Sequence, residues 1–262
     1  MRTELVSEPG DRVRANEDFA SVALPASGLG GALVALDGVT PPNGATGCLH
    51  SVPWFTARLG GALTELTVSC RNLPLPEILS RAILRTSGAH QSTCDLSHPR
   101  TPQATVVLAR WSSETVEYLV LSDSALLLES PDGTVTPHLD DRLALLPRSA
   151  LATDALIDAT IRNKEGGFFT AAADPTVAAR AVTGAVARED VRALAALTDG
   201  ATRWVEKFQE GDWTDCFTYV RKEGAQALVD RVRELERADA RERTHLGRSK
   251  THDDATVVYV EL

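Results

Sequence analysis

The stretch Gly31-Ala-Leu-Val-Ala-Leu-Asp37-Gly38 decides the fold class. Six residues without a charge, too short a run for a helix and closed by Asp-Gly, read as a buried strand with a carboxylate at its end. The turn formers that follow, Val39-Thr-Pro-Pro-Asn-Gly-Ala-Thr-Gly47, read as a loop. Val191 to Leu197 is a second apolar run and ends the same way, at Thr198-Asp199-Gly200. Ala255 to Leu262 is a third, introduced by His252-Asp253-Asp254, and Glu17-Asp18 stands directly before a fourth, Phe19 to Leu24. A carboxylate at a strand end is held rigidly yet points out of the core. Hard cations such as Mg²⁺ or Mn²⁺ take carboxylate, carbonyl and water oxygens, so converging strand ends can build a cation site. Glycine after the aspartate lets the backbone approach an ion closely and offers a carbonyl. Asp132-Gly133, between Ser130-Pro131 and the next strand, reads instead as an ordinary hairpin turn.

Outward from these runs the chain reads as α+β. Helical spacing covers Trp54 to about Leu66 and Pro76 to Thr86. The middle reads as a β meander: Ala104 to Trp111, Thr115 to Ser122, Ala125 to Glu129 and Thr134 to His138. Ala150 to Asn163 reads as a helix, Asp174 to about Val186 as a further amphipathic stretch, and Trp204 to Phe208 and Phe217 to about Arg243 as helices. The charges of the last segment read as a solvated face. With no repeat, linker or composition break, residues 1–262 read as one domain.

Bulk properties narrow the function. A net charge of −9 argues against nucleic acid as the main partner, because phosphate backbones demand basic surface. Cys48, Cys70, Cys94 and Cys216 are scattered without a C-x-x-C pair, so neither a disulfide framework nor a zinc site is expected. The N-terminus lacks the apolar core of a signal peptide, and no apolar run reaches the ~20 residues that span a bilayer. A cytoplasmic location away from membranes is expected. Neither a Cys-x5-Arg loop nor G-x4-G-K-[ST] occurs, which disfavours a cysteine nucleophile and nucleotide-dependent phosphoryl transfer.

Six motifs in order resemble the metal-dependent Ser/Thr protein phosphatases of type 2C, the PPM family, in a compact bacterial form. They are Asn16-Glu17-Asp18, Leu36-Asp37-Gly38, Gln103-Ala104-Thr105, Ser122-Asp123-Ser124, Thr198-Asp199-Gly200 and Asp253-Asp254-Ala255-Thr256-Val257, spread over almost the whole chain. The resemblance implies an αββα sandwich, two antiparallel sheets packed face to face with helices outside. It also implies two Mn²⁺ or Mg²⁺ ions, with a third, weaker one in some members. Asp37 is then the bridging and catalytic carboxylate, Gly38 a carbonyl ligand, and Asp199 and Asp253 ligands of the first ion. Glu17 and Asp18 serve the second ion and Asp123 the third, while Asp254, where the family has asparagine, replaces or assists Asp253. The implied activity is hydrolysis of phosphoserine and phosphothreonine on proteins by a water bridging the two ions, in a chain expected to be monomeric. Two alternatives stay open: a catalytically weak member acting as a regulatory binding module, and a phosphatase of a small phosphorylated metabolite.

The chain departs from the family pattern in several places. Val39 stands where a histidine often follows Asp-Gly, leaving His50 or His252 as substitute proton donors. Arg14, with Arg12 nearby, is the candidate for binding substrate phosphate, although neither lies at the usual offset. Ser122-Asp123-Ser124-Ala125 keeps the aspartate of G-D-S-R without its glycine and arginine. Phe168 and Phe169 lie where members carry substrate-facing structure, and core packing is the preferred reading for them.

Overall fold

The computed structural model describes residues 2–11, 13–26, 30–42, 44–242 and 251–262. Its strands are β1 (Thr3–Glu8), β2 (Phe19–Ala23), β3 (Gly31–Leu36), β4 (Val106–Trp111), β5 (Thr115–Leu121), β6 (Ala125–Glu129), β7 (Val135–Leu139), β8 (Val182–Ala187), β9 (Ala193–Leu197) and β10 (Ala255–Glu261). Its α-helices are α1 (Val52–Ser69), α2 (Leu75–Gly88), α3 (Asp154–Thr160), α4 (Asp199–Glu206), α5 (Trp213–Glu223) and α6 (Ala225–Glu242).

The strands form two five-stranded antiparallel sheets, ordered β1-β10-β9-β6-β7 and β2-β3-β4-β5-β8. β3 shows why these strands are apolar on both faces. Leu33 and Ala35 pack across the sandwich against Leu126, Leu194 and Val258 of the other sheet. Val34 and Leu36 point the other way, into a core shared with Phe55 and Leu59 of α1 and Leu79 of α2. A strand covered on both sides cannot alternate apolar and polar residues. Each fully buried leucine here contributes roughly 2 kcal/mol of transfer free energy. The opposite outer layer packs Phe217, Leu228 and Val232 of α5 and α6 on Ala195, Leu197 and Val257. The order of layers is therefore helix, sheet, sheet, helix, the expected αββα sandwich.

Several local expectations change. The meander is not continuous, because β4 and β5 belong to one sheet and β6 and β7 to the other. The chain crosses between sheets at Ser122-Asp123-Ser124, where Ser122 takes the left-handed φ of 70°. The stretch after Asp174 is a short 3-10 turn, Pro175–Arg180, followed by edge strand β8. The helix expected from residue 150 shortens to α3, which starts after its N-cap Thr153. The long charged helix is two helices, broken at Gly224 with φ 98°; the expected end at Arg243 lies outside the described residues. β1 was not anticipated; it is an edge strand with an alternating exposed and half-buried pattern, paired with β10.

Candidate metal centre

Asp37, Asp199, Asp18, Asp253 and Asp123 come from five separate parts of the chain and meet at one end of the sandwich. β3 ends at Asp37, whose carbonyl accepts from Thr105 N–H at 2.9 Å while Thr105 Oγ1 accepts from its N–H at 3.2 Å. Asp199 opens α4 after N-cap Thr198, and its backbone N–H donates to Asp37 Oδ2 at 3.2 Å. Burial, and then the charges of Asp199, Asp18 and Asp123, push the Asp37 carboxyl well above the usual range. Asp199 is itself pushed up to about 8 by burial and by Asp253 and Asp123. Asp123, at the crossover between sheets, is raised by burial as well.

Asp18 is held by the threonines of two separate motifs. Its Oδ2 accepts from Thr198 Oγ1 at 2.9 Å and Thr256 Oγ1 at 2.6 Å. Among the described residues Oδ1 is buried without a hydrogen-bond partner. Burial lifts this carboxyl to about 7 against the two threonine bonds, with Asp254 and Asp253 adding to the rise. An orphaned carboxylate oxygen among like charges is costly unless a cation or a proton meets it. The donor set, all oxygens on rigid strand and helix ends, fits Mg²⁺ or Mn²⁺ rather than softer ions.

The two site glycines are required by close approach. A Cβ on Gly38 would lie 2.4 Å from the Glu17 carbonyl oxygen, and one on Gly200 would lie 1.9 Å from that of Asp254. Gly133 has open space around it and a φ of 89°. Three Asp-Gly pairs thus separate physically into two packed junctions and one turn.

Remaining members of the acidic set have other partners. Glu17 accepts from the Thr40 hydroxyl. Both oxygens of Asp254 take backbone N–H groups, from Gly10 at 2.7 Å and Glu17 at 2.6 Å. Asp254 thereby ties the start of β10 to the loop that carries Glu17 and Asp18. Asp253 Oδ2 accepts from Arg203 Nη2 at 3.0 Å, and Arg203 also pairs with the fully buried Glu236 at 2.5 Å. Arg203 and Glu206 were missed in the sequence, although Asp199, Arg203 and Glu206 recur at i, i+4 and i+7 along α4. Glu206 is raised by burial and feels the charge of Asp123.

A cleft of about 880 Å³ opens beside the acids, with Arg14, Glu17, Thr40, His252, Asp253 and Asp254 in its walls.

No protein-family model matches the chain, and no curated protein matches it in sequence. Solved structures do match. The serine/threonine phosphatase Stp1 from Staphylococcus aureus superposes with a TM-score of 0.64 at 13% identity, over 99% of this chain and 94% of that one. PstP/Ppp from Mycobacterium tuberculosis gives 0.60 at 16%, over 100% and 98%. The PstP catalytic domain in complex with two manganese ions gives 0.58 at 16%, over 99% and 97%. The fold is that of the bacterial serine/threonine phosphatases.

Within this phosphatase fold the departures from the family motifs acquire reasons. Ser122 stands where G-D-S-R has glycine and adopts the left-handed conformation a glycine takes freely. Its N–H donates to Asp140 Oδ2 at 2.8 Å and its hydroxyl to Asp123 Oδ1 at 3.1 Å, which hold it there. Arg162, remote in sequence, supplies positive charge to Asp123. Phe168 and Phe169 are buried, as preferred, with Phe169 in the core under α1 and α2. His252 sits on the cleft wall with Nδ1 on Glu236 Oε2 at 2.8 Å. His50 is not at the acids; it faces Cys48, Cys94 and His90. The expectation of scattered cysteines fails for one pair, since Cys48 and Cys94 Sγ atoms lie 2.8 Å apart. Two short spacings, Cys48-x-His50 and His90-x3-Cys94, were the available signal. Arg14 is exposed on the cleft wall, and Arg12 lies outside the described residues.

The threonine clamp on Asp18 gives a direct prediction. Thr198→Val or Thr256→Val is expected to weaken Mn²⁺ binding by roughly 10-fold, the usual effect of removing a group that orients a metal-binding carboxylate. Calorimetric titration checks it; unchanged affinity in both variants would remove Asp18 from the metal centre.

Proposed function

We propose that the chain is a metal-dependent phosphatase that hydrolyses phosphoserine and phosphothreonine on proteins, acting as one unit over residues 1–262. The observation that carries this reading is the buried Asp18 Oδ1, without a hydrogen-bond partner among the described residues, in the same acidic set as Asp37, Asp199 and Asp253, the last of which lines the cleft. The PPM-type fold, shared with a PstP domain holding two manganese ions, supports it.

Asp37, Asp199, Asp18 and Asp253 would hold two Mn²⁺ or Mg²⁺ ions through carboxylates and Gly38 through its carbonyl, with Glu17 serving the second and Asp123 a weaker third. Bound there, such ions supply Lewis acidity that brings water towards hydroxide near neutral pH and offsets phosphoryl charge. The remaining work falls to this chain's own residues. Thr198 and Thr256 aim Asp18, Asp254 fixes the backbone of Glu17, and Arg203 limits the charge at Asp253. Arg14, on the cleft wall, binds the phosphate of the incoming residue. No helix among the described residues is long and apolar enough to cross a membrane, and the proposed site of action is the cytoplasm.

Mn²⁺-dependent release of phosphate from phosphoserine and phosphothreonine peptides tests the proposal, with small phosphate esters of metabolites as the comparison. Absent turnover of every ester while Mn²⁺ binding persists would overturn the enzyme. Turnover of metabolite esters alone would overturn the protein substrate. Arg14→Ala is expected to raise KM for the phosphopeptide by about 10-fold with little change in kcat, since it removes a charge-assisted contact made before and during reaction.

A further inference from the structure

On the other side of the loop that follows Gly38 lies a second cluster, sharing no residue with the acids. Cys48 and His50 come from the end of that loop, just before Ser51 caps α1. His90 and Cys94 come from the turn after α2, where Cys94 N–H donates to the His90 carbonyl at 3.0 Å and so sets both side chains on one side. One donor atom from each residue lies within 4.8 Å of every other.

We propose that Cys48, His50, His90 and Cys94 form a structural zinc site. Two thiolates and two imidazoles are a preferred donor set for Zn²⁺ and a poor one for Mg²⁺ or Mn²⁺. Bond lengths of about 2.3 Å to sulfur and 2.0 Å to nitrogen place tetrahedral ligand atoms roughly 3.3 to 3.8 Å apart. The nitrogen–sulfur separations fall there: Cys48 Sγ is 3.7 Å from His50 Nδ1 and 3.3 Å from His90 Nδ1, and Cys94 Sγ is 3.4 Å from His50 Nδ1. The two sulfurs, at 2.8 Å, need to part by about 1 Å to take the ion.

The surroundings suit thiolates. Cys48 Sγ accepts from His50 N–H and Cys94 Sγ from Leu49 N–H, each at 3.4 Å. Trp54 stacks on the His50 ring at 4.0 Å and meets His90 edge-on at 5.2 Å, fixing both imidazoles. His90 is buried and its Nε2 has no partner among the described residues, while its Nδ1 makes its polar contact with the Cys48 thiol. Four protein donors close the coordination shell, the arrangement of a structural rather than a catalytic site. Binding releases the two thiol protons to solvent and leaves no redox change.

The ion would staple residues 48–50 to the end of α2. Asp95 N–H already donates to the Gly47 carbonyl at 2.7 Å, and Gly47, with φ 71°, packs on His98 too tightly for a side chain. The stapled loop carries Thr40, which binds Glu17 at the cleft. Zinc would thus fix the loop that follows Gly38. The assignment does not rest on the phosphatase reading.

Chain purified under reducing conditions from zinc-supplied cells, and dialysed free of loosely held ions, is expected to retain one equivalent of zinc. A mercurial that blocks thiols is expected to release it. Exchange for Co²⁺ is expected to give thiolate-to-metal charge-transfer and tetrahedral ligand-field absorption, both lost in Cys48→Ser. His50→Cys keeps four donors and is expected to hold the ion and fold, which separates lost coordination from lost folding. Asp37→Ala is expected to leave the zinc content unchanged. Folded wild-type chain without zinc and without cobalt–thiolate absorption overturns the proposal. So does zinc lost in Asp37→Ala but kept in Cys48→Ser, or a mass lower by two hydrogens that marks a Cys48–Cys94 disulfide.

Discussion

Asp37→Asn is expected to lower Mn²⁺-dependent hydrolysis of p-nitrophenyl phosphate by about 1,000-fold or more, without lowering the stability of the metal-free protein. The two halves of this result have one cause. Asp37 lies between Asp199, Asp18 and Asp123, so each further negative charge there is resisted by its neighbours and by burial. Without a cation, burial and the neighbouring acids favour the neutral carboxyl, and asparagine imitates that form with little change in volume. In the proposed two-ion centre the carboxylate would be a shared ligand, and losing several kcal/mol of transition-state stabilisation corresponds to roughly three factors of ten. A structural residue would behave the other way, with stability falling first and activity following. Thermal unfolding and turnover, each with and without Mn²⁺, separate the cases. A variant that keeps more than a tenth of wild-type activity would show that Asp37 is not a metal ligand.

The second large effect is on pH. Protein dialysed free of Mn²⁺ and Mg²⁺ is expected to lose stability as pH rises, with a fall in Tm on the order of 10 °C between about pH 5.5 and 8. In the folded chain Asp18 titrates at about 7 and Asp199 at about 8, and Asp37 lies well above its usual range, against an ordinary aspartate value of 3.8. Over the window between 3.8 and about 8 the folded state therefore binds more protons than the unfolded one. Stability then decreases with pH, because its slope follows the protons bound by the unfolded state minus those bound by the native state. The contribution is complete below 3.8 and gone once pH passes the folded values. Saturating Mn²⁺ is expected to reverse the slope, since ions compete with protons for the same oxygens and bind better as pH rises. Melting curves at the two pH values with and without Mn²⁺ measure this. A metal-free Tm that climbs towards pH 8 would mean the carboxyls do not converge in solution.

Much of the layer architecture was legible because burial leaves a strong mark. Gly31–Leu36, Ala193–Leu197 and Ala255–Glu261 are apolar on both faces since each lies between the opposite sheet and a helical layer. β1 and β8 went unread for the converse reason. Edge strands bury one face weakly, and their alternating exposure hardly differs from that of a loop or a short helix. The break in the meander was hidden because β5 and β6 are close in sequence and apolar alike; which sheet each joins depends on Ser122 turning through a left-handed conformation.

For the site, the chain alone determined which acids stand at strand ends and that Asp132-Gly133 is a turn, because local spacing and turn chemistry act over a few residues. Tertiary structure decided which of those acids are ligand candidates and which are braces. Asp253 and Asp254 are adjacent in sequence, yet one faces Arg203 and the other spends both oxygens on backbone N–H groups of the N-terminal loop. The same holds for Cys48, His50, His90 and Cys94, brought together by two chain segments about forty residues apart. Backbone preference is local and can be read along the chain. Coordination and charge act through space, and only packing sets those distances.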